Sequence, residues 1–118
     1  WFDQRGILWT QTDISSGALG KGAYSRITNN MMFAADPVSR EFRRFLIGPN
    51  GCEVTGVDLT PDYKTMFVNI QHPGESPSER SNPDKPKAFS DWPDRKLFSR
   101  PRSATIAIWR EDGKPVGS

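Results

Sequence analysis

The sequence predicts an all-β fold of short antiparallel strands, and three observations carry that reading. Apolar and polar residues alternate over short runs with a β-branched and aromatic bias, the period of a half-buried strand. Ten prolines and ten glycines interrupt those runs with turn chemistry. The order of strands and turns then occurs twice, once before Gly48 and once after it.

The first unit opens as a hairpin, with a short strand ending at Phe2-Asp3, the turn Gln4-Arg5-Gly6 and a strand from Ile7 to Thr12. In that second strand Leu8, Thr10 and Thr12 point one way and Ile7, Trp9 and Gln11 the other. Asp13 ends it. From Ile14 to Thr28, Ser, Gly and Ala gather around Leu19-Gly20-Lys21-Gly22 without strand periodicity, which reads as a loop. A third strand spans Asn29 to Ala35. Asp36-Pro37-Val38-Ser39-Arg40 makes a turn with the aspartate and proline that turns favour. A fourth strand spans Glu41 to Ile47, with Phe42 and Phe45 as apolar contacts, and Arg40, Arg43 and Arg44 read as one charged outer face.

The second unit follows the same order. A strand Val54 to Leu59, the turn Thr60-Pro61-Asp62-Tyr63-Lys64 and a strand Thr65 to Gln71 answer to the opening hairpin. After a long connection, a strand Ala104 to Trp109, the turn Glu111-Asp112-Gly113-Lys114 and Pro115-Val116 answer to the third and fourth strands, Asp-Gly being a good hairpin signal. The repeat is roughly 50 to 60 residues with the connection treated as an insertion, within reach of propeller-blade spacing. The expected organisation is a single β domain or partial propeller, with residues 1–47 as one blade-like unit and 48–118 as the second. A small sandwich is the other all-β solution. Two blades cannot close a ring, so exposed sheet faces and self-association are expected of the chain alone.

The connection between His72 and Arg102 holds six of the ten prolines, Pro73, Pro77, Pro83, Pro86, Pro93 and Pro101. Loops of that length in a compact domain are disordered, draped over the surface or functional. Phe89, Trp92, Leu97 and Phe98 place its second half against something apolar.

The totals exclude several classes. A length of 118 residues gives room for one small domain, and an apolar fraction of 35% sets a modest core. Sixteen basic against 14 acidic residues give a net charge of +2, with no basic patch interleaved with aromatics, so no nucleic-acid partner is expected. One cysteine forbids an internal disulfide and any Cys-x-x-Cys zinc knuckle. No apolar run can cross a bilayer, and no signal peptide is present. The opening Trp1-Phe2-Asp3 has the look of a chain cut from something longer.

Chemistry concentrates in Gly48-Pro49-Asn50-Gly51-Cys52-Glu53-Val54-Thr55-Gly56. Glycines at 48, 51 and 56 allow backbone conformations closed to other residues, so the turn can hold Glu53 at the start of a strand where a metal or substrate comes close. A solvated turn glutamate is the plainer reading. Cys52 is a buried small residue, a lone ligand or a reactive thiol.

The runs Trp1-Phe2-Asp3-Gln4-Arg5-Gly6 with Leu8-Trp9-Thr10-Gln11-Thr12-Asp13, then Gly51-Cys52-Glu53-Val54-Thr55-Gly56, then Phe67-Val68-Asn69-Ile70-Gln71-His72-Pro73-Gly74-Glu75 together resemble the C-terminal part of the PhoX family of secreted alkaline phosphatases. The resemblance covers Trp1 to about Glu75 and resumes near Ala104. It implies a fragment of a β-propeller that, when whole, releases phosphate from phosphate monoesters with calcium and iron in its central site, exported to the periplasm or beyond. The remaining blades are then partners of this chain, and the fragment alone is expected to be inactive.

Under that implication Glu53 is the first candidate metal ligand and Asp13, before a Gly-rich loop, the second; a turn or cap aspartate is the other reading of Asp13. Cys52 could bind iron as a thiolate, but the neighbouring Glu53 raises the cost of a second negative charge. His72, the single histidine, is a further candidate or a turn residue satisfied by backbone. Asn69 and Gln71 could offer carbonyl oxygens to calcium or serve as cross-strand hydrogen-bond partners. Lys21, Arg26 and Arg102 could meet a phosphate if their loops fold over the site. Two other functions stay open, a calcium-dependent propeller esterase or lactonase and a noncatalytic β-repeat module binding through its sheet faces.

Overall fold

The computed structural model describes residues 1–75, 82, 84–96 and 99–118. Six strands form two antiparallel three-stranded sheets, the all-β architecture expected. The first sheet contains β1 (Leu8–Gln11), β2 (Met31–Asp36) and β3 (Glu41–Ile47), and the second β4 (Glu53–Leu59), β5 (Thr65–Gln71) and β6 (Ala104–Trp109), each in chain order. A one-turn 3-10 helix at Gly22–Tyr24 interrupts the Gly-rich loop.

Alternation places the core. Trp9 and Met32 from the first sheet meet Val54, Met66, Val68 and Ile70 from the second, with Cys52 and Val116 completing a buried cluster. Full burial of each large apolar side chain contributes roughly 1.5–3 kcal/mol, so the cluster is what couples two sheets that share no ladder. Phe45 adds an edge-on contact to Trp9, with ring centroids 5.0 Å apart. Each sheet carries a bulge, between Met32 and Phe33 against β3 and between Thr55 and Val57 against β5. Gly56 is the extra residue of the second bulge. Its φ of 57° suits glycine, and a Cβ there would lie 2.5 Å from Asn69 Nδ2.

Several expectations are corrected. The first strand shrinks to a single bridge between Phe2 and Leu8, because the carboxylate of Asp3 turns inward. It accepts from the Arg5 side chain, from the Ile7 amide and from the Trp9 indole. Pro115-Val116 adds no strand. The Val116 amide donates to the Tyr63 carbonyl at 2.8 Å, and its side chain enters the core instead of a sheet. Arg43 and Arg44 do not share a face, since they stand opposite Ala34 and Phe33, neighbours on β2 whose side chains alternate.

Of the long connection, Trp92 packs against the core cluster and the Arg102 amide donates to the Trp92 carbonyl, so this part is draped over the shared core. Phe89 is 44% exposed, and the expected packing of Leu97 and Phe98 lies outside the described residues. The outer sheet faces keep large apolar side chains in solvent, Trp109 at 66% and Phe42 at 62% exposure, the latter stacked on Phe33. No helix among the described residues is long and apolar enough to cross a membrane.

Candidate functional site

Antiparallel order brings the ends of β1, β3 and β5 and the starts of β2, β4 and β6 to one rim. The candidate residues gather there. Asp13 follows β1, Asn30 precedes β2, Gly48 follows β3, Cys52-Glu53 opens β4, and Gln71-His72 closes β5. The two sheets touch at this rim, where the Val54 amide lies 3.5 Å from the Thr12 carbonyl.

Glu53 sits opposite Gln71 on the face of β4 turned away from the core, since its neighbour Val54 is buried. Its carboxylate is only one-fifth exposed, and among the described residues its one ion-pair partner is His72, with Nε2 3.6 Å from Oε2. The other ring nitrogen, Nδ1, lies 3.6 Å from Glu75 Oε2 and 3.3 Å from the Gly51 carbonyl. The single histidine thus stands between two carboxylates and a backbone oxygen. Its φ of 37° is left-handed, a conformation that costs a non-glycine residue energy and persists where the surroundings hold it. The Ser103 hydroxyl oxygen accepts from its amide at 3.0 Å.

Gly51 makes this possible. It takes a φ of 66°, and a Cβ would run into the Glu75 backbone, 2.7 Å from its nitrogen. The Gly74 and Glu75 amides donate to the Asn50 and Gly51 carbonyls, pinning the His72–Glu75 turn onto the Gly48–Cys52 turn. Gly48 differs from the sequence reading, because its φ is not left-handed. It is required by space, its missing Cβ leaving room for the Cys52 sulfur and the Asn30 carbonyl.

Asp13, Asn30, Gly51, Cys52, His72 and Glu75 line a crevice of about 10 Å³, room for about one water and too small for a phosphate ester. Asp13 is exposed and its carboxylate has no hydrogen-bond partner among the described residues. Cys52 is 1% exposed, and burial, with Glu53 adding repulsion, pushes its thiol up to about 11. It is a neutral thiol at neutral pH, so its contribution at the rim is packing.

The remaining sequence candidates stand outside the Glu53–His72 pair. The Asn69 carbonyl oxygen accepts from the Thr105 hydroxyl across the ladder at 2.7 Å, and Gln71 is exposed beside Glu53. Arg102 grips Asp94 through two bonds of 3.0 Å, and Lys21 donates to the Gly17 carbonyl at 3.0 Å, so both are committed to contacts within their own loops. Arg26 is exposed in the Gly-rich loop. Sequence reasoning passed over Asn30 and Glu75. Glu75 carried a faint signal, three residues after the only histidine. Asn30 carried none beyond its place at a strand start.

Carboxylate oxygens such as those of Glu53 and Asp13 are donors of the kind that suit a hard cation. Among the described residues no group of three His, Cys, Asp or Glu side chains is arranged to hold a metal ion by itself.

The family model described as alkaline phosphatase PhoX matches residues 1–74. A solved structure, Pseudomonas fluorescens PhoX in complex with vanadate, a transition state analogue, is 44% identical to the chain. It superimposes with a TM-score of 0.81 over 99% of this chain, which spans 18% of the length of that protein. No curated protein sequence matches. On the agreement of fold, identity and motif order, the chain belongs to the PhoX family of alkaline phosphatases and is similar to a fragment of a solved member.

Proposed function

We propose that the full-length protein carrying this chain is a metal-dependent phosphomonoesterase of the PhoX type, and that the chain contributes two blade-like units, 1–47 and 48–118, and one stretch of the active-site rim. The observation that carries this is 44% identity over almost the whole chain to a PhoX held with vanadate. That relative is held with vanadate as a transition state analogue, and analogues of that kind bind where an enzyme stabilises its transition state.

In this reading Glu53 is a carboxylate ligand, with His72 orienting it from 3.6 Å, and Asp13 faces the same rim. Calcium and iron are the metals, and bound there they would neutralise ester oxygens and activate the attacking oxygen. The further ligands come from segments of the full protein. Gln71, beside Glu53, offers a weaker oxygen donor. Asn69 and Cys52 are structural, given their hydrogen bond and burial. The remaining blades cover the exposed Phe42 and Trp109 faces, and the protein works after export to the periplasm or beyond.

Purified full-length protein should hydrolyse an aryl phosphate, lose that activity to a chelator and regain it with calcium and iron. Turnover of lactones or aryl esters in place of phosphates would overturn the reading in favour of a propeller esterase, and activity indifferent to chelation would overturn the metal assignment.

A further inference from the structure

Asn30 is the most fully engaged polar side chain at the rim. It is 3% exposed, and its carboxamide uses both donors and two acceptor positions. Oδ1 accepts from the Thr12 hydroxyl at 2.8 Å and from the Ile14 amide at 2.7 Å. Nδ2 donates to the Ile14 carbonyl at 3.0 Å and to the Cys52 carbonyl at 2.9 Å. The orientation is forced. Reversing the amide would set its NH2 against the Ile14 N–H and its oxygen against two carbonyls.

The partners give this residue a meaning beyond stability. Thr12 and Ile14 flank Asp13, and Cys52 precedes Glu53. One side chain therefore bonds the Thr12 hydroxyl and the Ile14 backbone on either side of one candidate ligand, and the backbone carbonyl immediately before the other, across the junction of the two sheets. The Asn30 backbone joins in, its carbonyl accepting from the Gly48 amide at 2.9 Å, while the Met31 amide donates to the Thr12 hydroxyl at 2.9 Å. Neither ladder supplies this tie, because β1 and β4 belong to different sheets.

We infer that Asn30 is a positioning residue, which holds the segments carrying Asp13 and Glu53 in fixed relation at the rim, so that each carboxylate is presented in a set place for a cation. The inference rests on the metal-ligand reading of those carboxylates. Partners one step behind ligands set their orientation, and losing one weakens metal binding or activity by about 10- to 100-fold.

The test uses full-length protein stripped with chelator and titrated with calcium, following bound metal directly and melting temperature in parallel. Asn30→Ala should weaken calcium binding about 10- to 100-fold while the protein still melts cooperatively. Val116→Ala, a core truncation away from the rim, should lower the melting temperature and leave the calcium midpoint in place. Amide exchange should rise in Asn30→Ala at residues 12–14 and 52–53 before calcium is added. Asn30→Ser retains a hydroxyl for one of the four bonds, and should fall between wild type and alanine; it also serves if the alanine variant does not fold. Unchanged calcium binding in Asn30→Ala, alongside weakened binding in Glu53→Gln, would overturn the positioning role. Unchanged binding in Glu53→Gln would overturn the ligand reading on which it rests. Failure of both Asn30 variants to fold would overturn positioning in favour of a purely structural role.

Discussion

The Nε2 atom of His72 lies 3.6 Å from Oε2 of Glu53, while the opposite nitrogen faces Glu75 at the same distance. The imidazole is held by a turn that is itself pinned to Gly51, so it can restrain the Glu53 carboxylate without binding a metal. Replacing His72 by Ala in the full-length protein should lower kcat/KM for an aryl phosphate by about 10-fold or more, the usual effect of losing a partner behind a ligand. Glu75→Gln, more exposed and on the far side of the ring, should cost less. Equal kcat/KM for wild type and His72→Ala would refute the restraint.

Asp3 gives the fold a defined acid sensitivity. Burial by itself would raise its pKa, but hydrogen bonds from Arg5, Trp9 and Ile7, with the Arg5 charge, outweigh it and hold the carboxyl below its ordinary 3.8. With the folded value below the unfolded one, the unfolded state binds more protons in that interval, and stability rises with pH across it. The contribution is complete above about pH 4 and is lost as pH falls through the folded value. Asp3→Asn should flatten that acid limb in denaturant titrations of the protein at successive pH values. Asp3→Ala should cost about 1–3 kcal/mol, because it leaves the buried Trp9 N–H without its acceptor.

Cys52 should be chemically silent. With its thiol buried and raised to about 11, the native protein should resist alkylation at pH 8 and react fully once unfolded, as read by mass of the labelled peptide. Rapid labelling of native protein would mean an accessible thiolate and reopen an iron-ligand role.

Gly51 is the most constrained glycine of the rim. Gly51→Ala should destabilise the protein by at least about 1–2 kcal/mol from the left-handed backbone alone. The clash with the Glu75 backbone should add to this and displace His72. Thermal melts measure the first effect, and kcat/KM below that of an equally destabilised core variant measures the second.

Strand positions were legible because alternation and turn residues act locally. The runs Glu41 to Ile47, Thr65 to Gln71 and Ala104 to Trp109 became β3, β5 and β6 at those bounds. Phe2-Asp3 and Pro115-Val116 misled for a physical reason. Their apolar and polar residues fill buried positions, a carboxylate for the Trp9 indole and a valine for the core, which alternation cannot distinguish from pairing. The rim was legible only in part. Glu53 and His72 stood out as residue types, but Asn30 acts across separations of 16 to 22 residues and looks in sequence like any asparagine at a strand start. Arg102 misled because its partner Asp94 lies in the connection whose path no periodicity reveals.

Glu53 bears the central claim that this rim helps hold the metals of a phosphatase. The most direct measurement is metal content together with aryl phosphate turnover in full-length Glu53→Gln, purified beside wild type and compared by melting temperature. The predicted result is a folded protein that loses bound metal and at least about 100-fold in kcat/KM. A metal-replete, fully active Glu53→Gln would contradict it.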